Sequence, residues 1–472
     1  MLPKYMEKKS MQYDVAIVGG GPAGLFAAYW LAKNSKLRVC LIDKGESVKK
    51  RRCPIAKTGQ CVQCKPNCHI LAGVGGAGLF SDGKLNFIHK LGKTDLTQFL
   101  GKAEAEALIV ETEEIFNQFG MDGPVYPSNM DAAVDIRQKA KHCGIDLLLI
   151  KQKHLGSDCL PGHIDTMCIW LEENGVDILT RCLVQDVLVE GNEVRGLVTS
   201  HGEILARAVI LAPGRVGADW VGEVARKFAI PVSQRGIEVG VRVEVHKDIL
   251  HSLTNIIYDP TFFVQTNKYD DQTRTFCTNP QGFVALENYQ DFVCVNGHAF
   301  LHSKSENANF AFLSKVVLTD PVSDNQGYGV ALGKLATLIG GGKPLLQRFG
   351  DLKRGRRSTW NRINKGYIEP TLKNVTPGDI AMALPERIVT NLVDGLEQLH
   401  RVVPGVANEE TLLYAPEIKF FATQVESDNN LETKIKGLFV AGDGPGVSGN
   451  IVAAAATGII PAKVLTQRLK PL

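Results

Sequence analysis

The chain has no apolar run long enough to cross a membrane, and Met1 to Gln12 lacks the apolar core of a secretory leader. No charge sign dominates. Against 50 Asp and Glu stand 53 Lys and Arg, a formal +3 over 472 residues. That balance is too even for nucleic acid or an anionic bilayer to be the main partner. Repeats and low-complexity tracts are missing as well. Eleven cysteines, an odd number in a long chain without a leader, give no disulfide framework and point to a reducing, cytoplasmic setting. What is left is an ordinary composition with room for two or three domains and sizeable cores.

An apolar run, Val15 to Val18, leads straight into glycines, and Gly19, Gly21 and Gly24 have the G-x-G-x-x-G spacing. The first glycine permits a tight turn, the second lets backbone amides approach a pyrophosphate, and the third lets helix and strand pack closely. Pro22 suits a first helical turn, where a missing N–H costs nothing. Ala23 to Lys33 then reads as a helix whose N-terminus offers donors and positive dipole to phosphate. A second apolar run from Leu37 ends in Asp43, about twenty residues past the glycines, where an acid accepts a ribose hydroxyl. Three glycines alone are weak evidence; strand, glycines, helix, strand and acid in register are specific.

Beyond Asp43 the periodicity stops. Residues 45–86, rich in glycine, cysteine and lysine, read as a long functional loop, and Lys49 to Arg52 within it as a solvated basic segment. Helices are expected over Thr94–Gln118, Ala132–Lys141 and Pro161–Asn174, and a strand over Ile145–Ile150. From Val176 the pattern is β-rich, and the run from Ala206 ends at Ala212-Pro213-Gly214. Strand-length runs from Ile237 to Val295, with helices over Gly327–Leu338 and Pro385–Val403, read as an inserted substrate domain. The chain returns with an apolar strand ending at Gly442-Asp443 and a helix of small residues, Ile451–Leu469.

The first glycine motif with Asp43, the Ala212-Pro213-Gly214 strand end and the late Gly442-Asp443 resemble the FAD-binding pattern of two-domain flavoprotein oxidoreductases. The resemblance implies FAD rather than NAD. Gly75 to Leu85, His154 to Asp158, Gly236 to Glu244, Arg274 to Cys277 with Pro280 and Gly282, and Val295-Asn296-Gly297 narrow it. They are similar to a family of FAD-dependent dehydrogenases, flavoproteins that bind FAD and NAD(P), distantly like geranylgeranyl reductases. The resemblance covers nearly the whole chain and leaves the substrate open. Gly446 to Val452 departs from it, standing where a Gly-Val-Thr-Arg-like stretch is expected. The implied fold class is α/β, with a Rossmann-like FAD-binding domain of the GR2 type and an inserted β-rich α+β substrate domain. The expected division is 1–229 and 416–472 for the FAD domain, with the cysteine-rich loop 45–86, and 230–415 for the insertion.

Cofactor-binding candidates are Gly19, Gly21, Pro22, Ala23, Gly24, Asp43, Lys44, Gly75, Gly76, Ala77, Gly78, Gly214, Gly442, Asp443, Asn450 and Ile451. Gly73 to Gly78 also fits G-x-G-x-x-G, but a cysteine-rich loop precedes it rather than a strand. It reads as a glycine-lined turn against the isoalloxazine ring. Ser81, Asp82 and Lys84 after it are candidates for flavin or substrate contacts, and equally for turn roles. Proton transfer beside a hydride path needs a titratable group; His298 is the leading candidate, with His302, Glu287 and Tyr289 near it. Cys277 reads as structural more readily than catalytic. Arg354, Arg356 and Arg357 could hold an anionic substrate, although a solvated loop is the plainer reading.

Cys53, Cys61, Cys64 and Cys68 have the spacing C-x7-C-x2-C-x3-C. Four clustered thiolates suit a [4Fe–4S] cluster or zinc; Cys61 and Cys64 alone suit a redox dithiol, and inert cysteines are the third reading. Iron–sulfur is preferred between the metals, because a flavin neighbour gives one-electron transfer a purpose. The function read from all this is hydride or electron transfer to or from a small organic molecule, first of all at a C=C bond. An FAD and iron–sulfur protein serving a partner, and an FAD monooxygenase, are the alternatives. No second nicotinamide domain is recognisable, so NAD(P)H or an electron-donor protein stays open as reductant.

Overall fold

The strand before the first glycines is buried from Tyr13 onward. β1 (Met11–Val18) carries Val15, Ala16 and Ile17 out of solvent entirely, as a strand covered on both faces must. In a computed structural model, which describes residues 11–54, 62, 64–81, 83–92, 94–156, 159–233, 236–289, 291–300, 303–319, 324–420 and 424–472, the chain forms two units. One is 1–122, 159–233 and 422–472; the other is 123–158 and 234–421.

In the first unit β1 lies between β2 (Val39–Ile42) and the later β6 (Gly202–Leu211), parallel to both. β3 (Val176–Leu179) extends the parallel sheet beyond β2. β4 (Val184–Glu190) and β5 (Glu193–Thr199) form an antiparallel hairpin over Gly191 and Asn192, and β5 pairs antiparallel with β6. β7 (Leu438–Val440), more than two hundred residues on, pairs parallel with the end of β6. The order is β4-β5-β6-β1-β2-β3, with β7 on β6. Both stretches of chain are therefore needed to complete the sheet.

The helices of this unit are α1 (Pro22–Asn34), α2 (Lys102–Gln118), α3 (Leu160–Glu173), α4 (Ala218–Lys227) and α5 (Ile451–Arg468). Tyr29 of α1 meets Trp170 of α3 at 4.8 Å and Phe26 meets Phe116 of α2 at 4.5 Å between ring centroids. α1 and α5 approach so closely that a Cβ on Gly458 would lie 2.0 Å from the Ala23 carbonyl oxygen. α2 begins later than the apolar pattern suggests. Thr94–Asp95 is a short strand, and the helix starts only after Gly101, whose N–H donates to Glu104 Oε2 at 3.0 Å. Glycine stops the helix from propagating backward.

The second unit holds an eight-stranded sheet: Thr376–Pro377, Leu345–Arg348, Leu412–Lys419, Ile237–His246, Asn307–Val316, Gln272–Asn279, Thr261–Gln265 and Ile145–Leu148. Only the first pair is parallel. The strand Ile145–Leu148 takes residues 123–158 into this unit, whereas the sequence reading placed them with the FAD domain. Its partner, Thr261–Gln265, is more than a hundred residues away, and alternation alone does not name a strand's partner. Glu386–His400 covers the sheet with Ile388, Leu392, Leu396 and Leu399 buried. Among the described residues no helix is long and apolar enough to cross a membrane.

The central strand of this sheet buries charge as well as apolar surface. Arg242 is fully buried, with Nε donating to Asn309 Oδ1 at 2.9 Å and Nη1 facing both Glu417 oxygens at 3.3 Å. Arg274 holds Glu238 by two bonds of 2.7 and 2.6 Å. Glu244, also fully buried, accepts from the Thr371 and Tyr414 hydroxyls. Burial lifts its carboxyl above the ordinary 4.5, with those hydrogen bonds opposing.

Two consequences are measurable. Gly458→Ala puts a methyl group onto the Ala23 carbonyl and should lower stability by about 1–3 kcal/mol. Gly222→Ala, inside α4 with open space around it, should raise it by about 0.5–1 kcal/mol; chemical denaturation of both against the parent checks the pair. The folded protein retains the Glu244 proton where the unfolded chain has released it. That contribution is full below pH 4.5 and is lost as pH rises through the folded value. Glu244→Gln, always neutral, should therefore lose less stability than the parent from pH 4.5 toward neutrality, read from urea midpoints against pH.

Candidate functional site

Gly19 ends β1 with φ +106°, and a Cβ there would sit 2.2 Å from the Ala212 carbonyl oxygen. The turn is thus closed to every residue but glycine. Gly21 is the N-cap of α1 and makes no side-chain cap, Pro22 opens the first turn, and Ala23 and Gly24 follow. A Cβ on Gly24 would lie 1.9 Å from the Gly19 carbonyl oxygen. Helix and strand are packed backbone on backbone, and no side chain caps the first-turn amides. Asp43 follows β2; its Oδ2 accepts from the Gly20 N–H and its Oδ1 from the Gly45 N–H, each at 2.8 Å. Lys44 contributes its carbonyl, which accepts from Asn67 Nδ2 at 2.9 Å.

The second glycine run lies on the first. The Gly75 N–H donates to the Gly20 carbonyl at 2.7 Å, and a Cβ on Gly76 would be 2.9 Å from the Gly21 Cα. A Cβ on Gly78 would be 3.6 Å from the Ile451 side chain and 3.9 Å from Pro22. Ala77 and Gly78 open a short 3-10 turn, Ala77–Phe80. From the far end of the chain, a Cβ on Gly442 would be 3.1 Å from Ala23 Cβ, and the Gly442 N–H donates to Thr457 Oγ1 at 3.0 Å. Asp443 Oδ2 accepts from Arg215 Nε at 3.1 Å, and its Oδ1 from the Ser448 hydroxyl at 2.5 Å. Gly214, at φ +65°, lies against Gly444. Asn450 caps α5, its Oδ1 accepting from the Ala453 N–H at 2.9 Å.

Three stretches far apart in sequence, 19–24, 73–78 and 442–451, thus meet in one unit. The donor set fits a dinucleotide: uncapped first-turn amides on α1, a carboxylate at the end of β2, and a glycine-lined turn. The buried Asn450 Nδ2 has no partner among the described residues, a second opening for a ligand acceptor.

Other candidates are placed differently. The Ser81 hydroxyl donates to the Gly78 carbonyl at 2.7 Å and accepts from the Gly83 N–H at 3.3 Å, so Ser81 holds a turn. Asp82 lies outside the described residues, as do Cys61 and His302. Lys84 is buried at the start of the strand Lys84–Phe87. His298 ends the strand Val293–His298 of the second unit, stacked on Phe300 with ring centroids 5.8 Å apart. Glu287 and Tyr289 belong to the same hairpin region, Tyr289 stacking on Phe292 at 4.6 Å. Cys53, Cys64 and Cys68 are half-buried, and no group of three or more metal-ligating side chains occurs among the described residues.

Cys277 is half-buried rather than sealed in the core. It adopts φ +52°, and its carbonyl accepts from Arg242 Nη2 at 3.0 Å and Asn279 Nδ2 at 2.9 Å. Arg354 pairs with Glu409, and Arg356 with Asp351 at 2.7 Å, so two of the three arginines are engaged within the protein, while Arg357 is exposed. One residue overturns its reading outright. Arg51, taken as part of a solvated run, is buried, while Lys49, Lys50 and Arg52 are exposed. Thr457 and Arg215, which hold Gly442 and Asp443, carry no motif signal of their own.

Three family models match the chain. Residues 13–114 match pyridine nucleotide-disulphide oxidoreductase, 237–419 the FAD-dependent protein, C-terminal domain-like family, and 372–471 glucose inhibited division protein A. A Clostridium beijerinckii protein described only as uncharacterized is 24% identical over 476 residues, covering 96% of this chain and 80% of that protein. Solved structures that align with the chain include a quinol-fumarate reductase, at TM-score 0.44 and 14% identity, covering 98% of this chain and 72% of that one. Others are glycine oxidase from Bacillus cereus, at 0.38 and 14% over 97% and 96%, and L-proline dehydrogenase from P. horikoshii, at 0.41 and 11% over 97% and 94%. At its beginning, middle and end the chain is thus similar to families of FAD-dependent and pyridine nucleotide-dependent oxidoreductases, each match covering less than half of it.

Proposed function

We propose that the chain binds FAD in the first unit and exchanges hydride with a small organic molecule, with reduction or desaturation of a C=C bond as its reaction. The observation that carries the reading is the convergence of Gly21, Gly76, Gly78 and Ile451. Bound FAD supplies the redox chemistry; the chain's part is to bind, orient and move a proton. The first-turn amides of α1 take the pyrophosphate. Asp43 accepts from a ribose hydroxyl with the lone pairs that Gly20 and Gly45 leave free. Asp443, held by Arg215 and Ser448, serves the sugar-alcohol chain, and Gly75 to Gly78 line the ring.

Proton transfer falls to Lys84 or Asp82, and Ser81 is a candidate for flavin or substrate contact. NAD(P)H or an electron-donor protein re-reduces the site in the reductive direction. No observation favours the iron–sulfur reading over the flavin alone, and the cysteine loop is assigned no cofactor.

Asn450 separates two roles. Asn450→Ala loses the cap and should cost about 1 kcal/mol of stability, with weaker FAD binding. Asn450→Ser keeps a cap but removes the amide donor, so it should hold stability near the parent and still bind FAD more weakly, in thermal melts and flavin titration. For the reaction, the FAD-loaded protein, reduced anaerobically, should be reoxidised by an activated alkene faster than by buffer alone, followed by recovery of the flavin absorption band. Reoxidation by no alkene in a panel of conjugated enones, enoates and isoprenoids contradicts the C=C assignment and leaves FAD binding intact.

A further inference from the structure

We propose that Arg51 is the positioning residue of the glycine turn 73–78, setting the direction of its backbone amides and placing a fixed positive charge behind it. The inference rests on the flavin reading above. Arg51 Nε donates to the His69 carbonyl at 2.9 Å and Nη2 to the Ile70 carbonyl at 2.8 Å. Nη1 faces the carbonyls of Gly73, Val74 and Gly76 at 3.2, 2.7 and 2.8 Å. One side chain thus gathers five carbonyl oxygens. The guanidinium also lies 5.0 Å from the centre of the Phe80 ring.

A trans peptide plane points its N–H opposite to its C=O. Turning the carbonyls of Gly73, Val74 and Gly76 onto Arg51 therefore turns the amides of Val74, Gly75 and Ala77 away from it. The first two have visible destinations: Val74 N–H donates to the Glu46 carbonyl at 3.0 Å and Gly75 N–H to the Gly20 carbonyl at 2.7 Å. The third, on Ala77, follows Gly76, the residue packed on Gly21. Arg51 thereby aims the turn at the first glycine motif. The fit demands glycine at 73: its φ is +122°, and a Cβ would meet Arg51 Cδ at 2.6 Å.

Only a planar, forked cation can do this. Lysine has a point charge and three donors on one atom, which cannot span carbonyls on both sides of the loop. Burial pulls the Arg51 pKa down to about 10, with Asp43 and Cys68 opposing, so the group is a cation at neutral pH. A buried positive charge near a redox ring favours electron acceptance.

The test compares the full-length parent, Arg51→Lys, Arg51→Met and the exposed-neighbour control Arg52→Met. The readouts are flavin titration, the bound-flavin spectrum and midpoint potential, and amide hydrogen exchange of residues 69–78 in the apo chain. Arg51→Lys should bind FAD about tenfold more weakly, equivalent to one or two lost hydrogen bonds, with an altered spectrum and faster exchange at 74–77. Arg51→Met should also lower the potential, and Arg52→Met should match the parent. An Arg51→Lys chain with parental affinity, spectrum and exchange overturns the proposal. Where Arg51→Met does not fold, Arg51→Lys decides. If the parent takes up no FAD, the flavin reading fails, and unchanged exchange in Arg51→Lys overturns the positioning role separately.

Discussion

Backbone pressed against backbone is the constraint on which the first unit depends. Gly24 lies on the Gly19 carbonyl, Gly458 on the Ala23 carbonyl and Gly76 on the Gly21 Cα. Each contact has no room for a Cβ, and together they bring α5 and the glycine turn onto the start of α1, whose N-cap makes no side-chain hydrogen bond. A side chain at any of the three would hold these backbones apart. The site is therefore a consequence of close packing, and its polar groups are mostly main-chain ones that need no side-chain ordering to be in place.

The second unit handles polarity in the opposite way. Its central strands put Arg242, Arg274, Glu238, Glu244 and Glu417 out of water. Arg242 faces Glu417, Arg274 grips Glu238, and Lys419 reaches Glu417 at 2.9 Å. Removing one member of such a pair strands the other's charge, which is far costlier than the pair is stabilising. Glu244 has no cation among the groups bonded to it and is met by hydroxyls instead, which is why burial raises its pKa. Gly297 belongs to this arrangement too, since a Cβ there would lie 1.8 Å from Arg242 Nη2. The Val295-Asn296-Gly297 stretch is thereby tied to the buried arginine.

What the sequence made legible was local. Gly19, Gly21, Gly24 and Asp43 each answer to a cause within a few residues: a turn, a helix start, a strand end. The late Gly442-Asp443 was readable because an apolar strand precedes it and small residues follow. Arg51 was not readable. It sits in a run of four basic residues, three of them solvated, and its burial is decided by carbonyls eighteen to twenty-five positions away. Residues 123–158 were misplaced for the same reason, since the partner of Ile145–Leu148 lies beyond position 260. The expected start of α2 failed on a local signal that was present, Gly101. Ser81 was weighed between ligand contact and turn, and its hydroxyl donates to the Gly78 carbonyl at 2.7 Å.

The central claim is that this cradle holds one FAD, and flavin stoichiometry tests it most directly. Protein purified in the dark, or reconstituted with excess FAD and desalted, is denatured, and the released flavin is quantified and identified by chromatography. One FAD per chain and no FMN is expected, because the proposed site gives the α1 amides and Asp43 to the adenosine pyrophosphate half. No retained flavin after reconstitution, or FMN in its place, would contradict it.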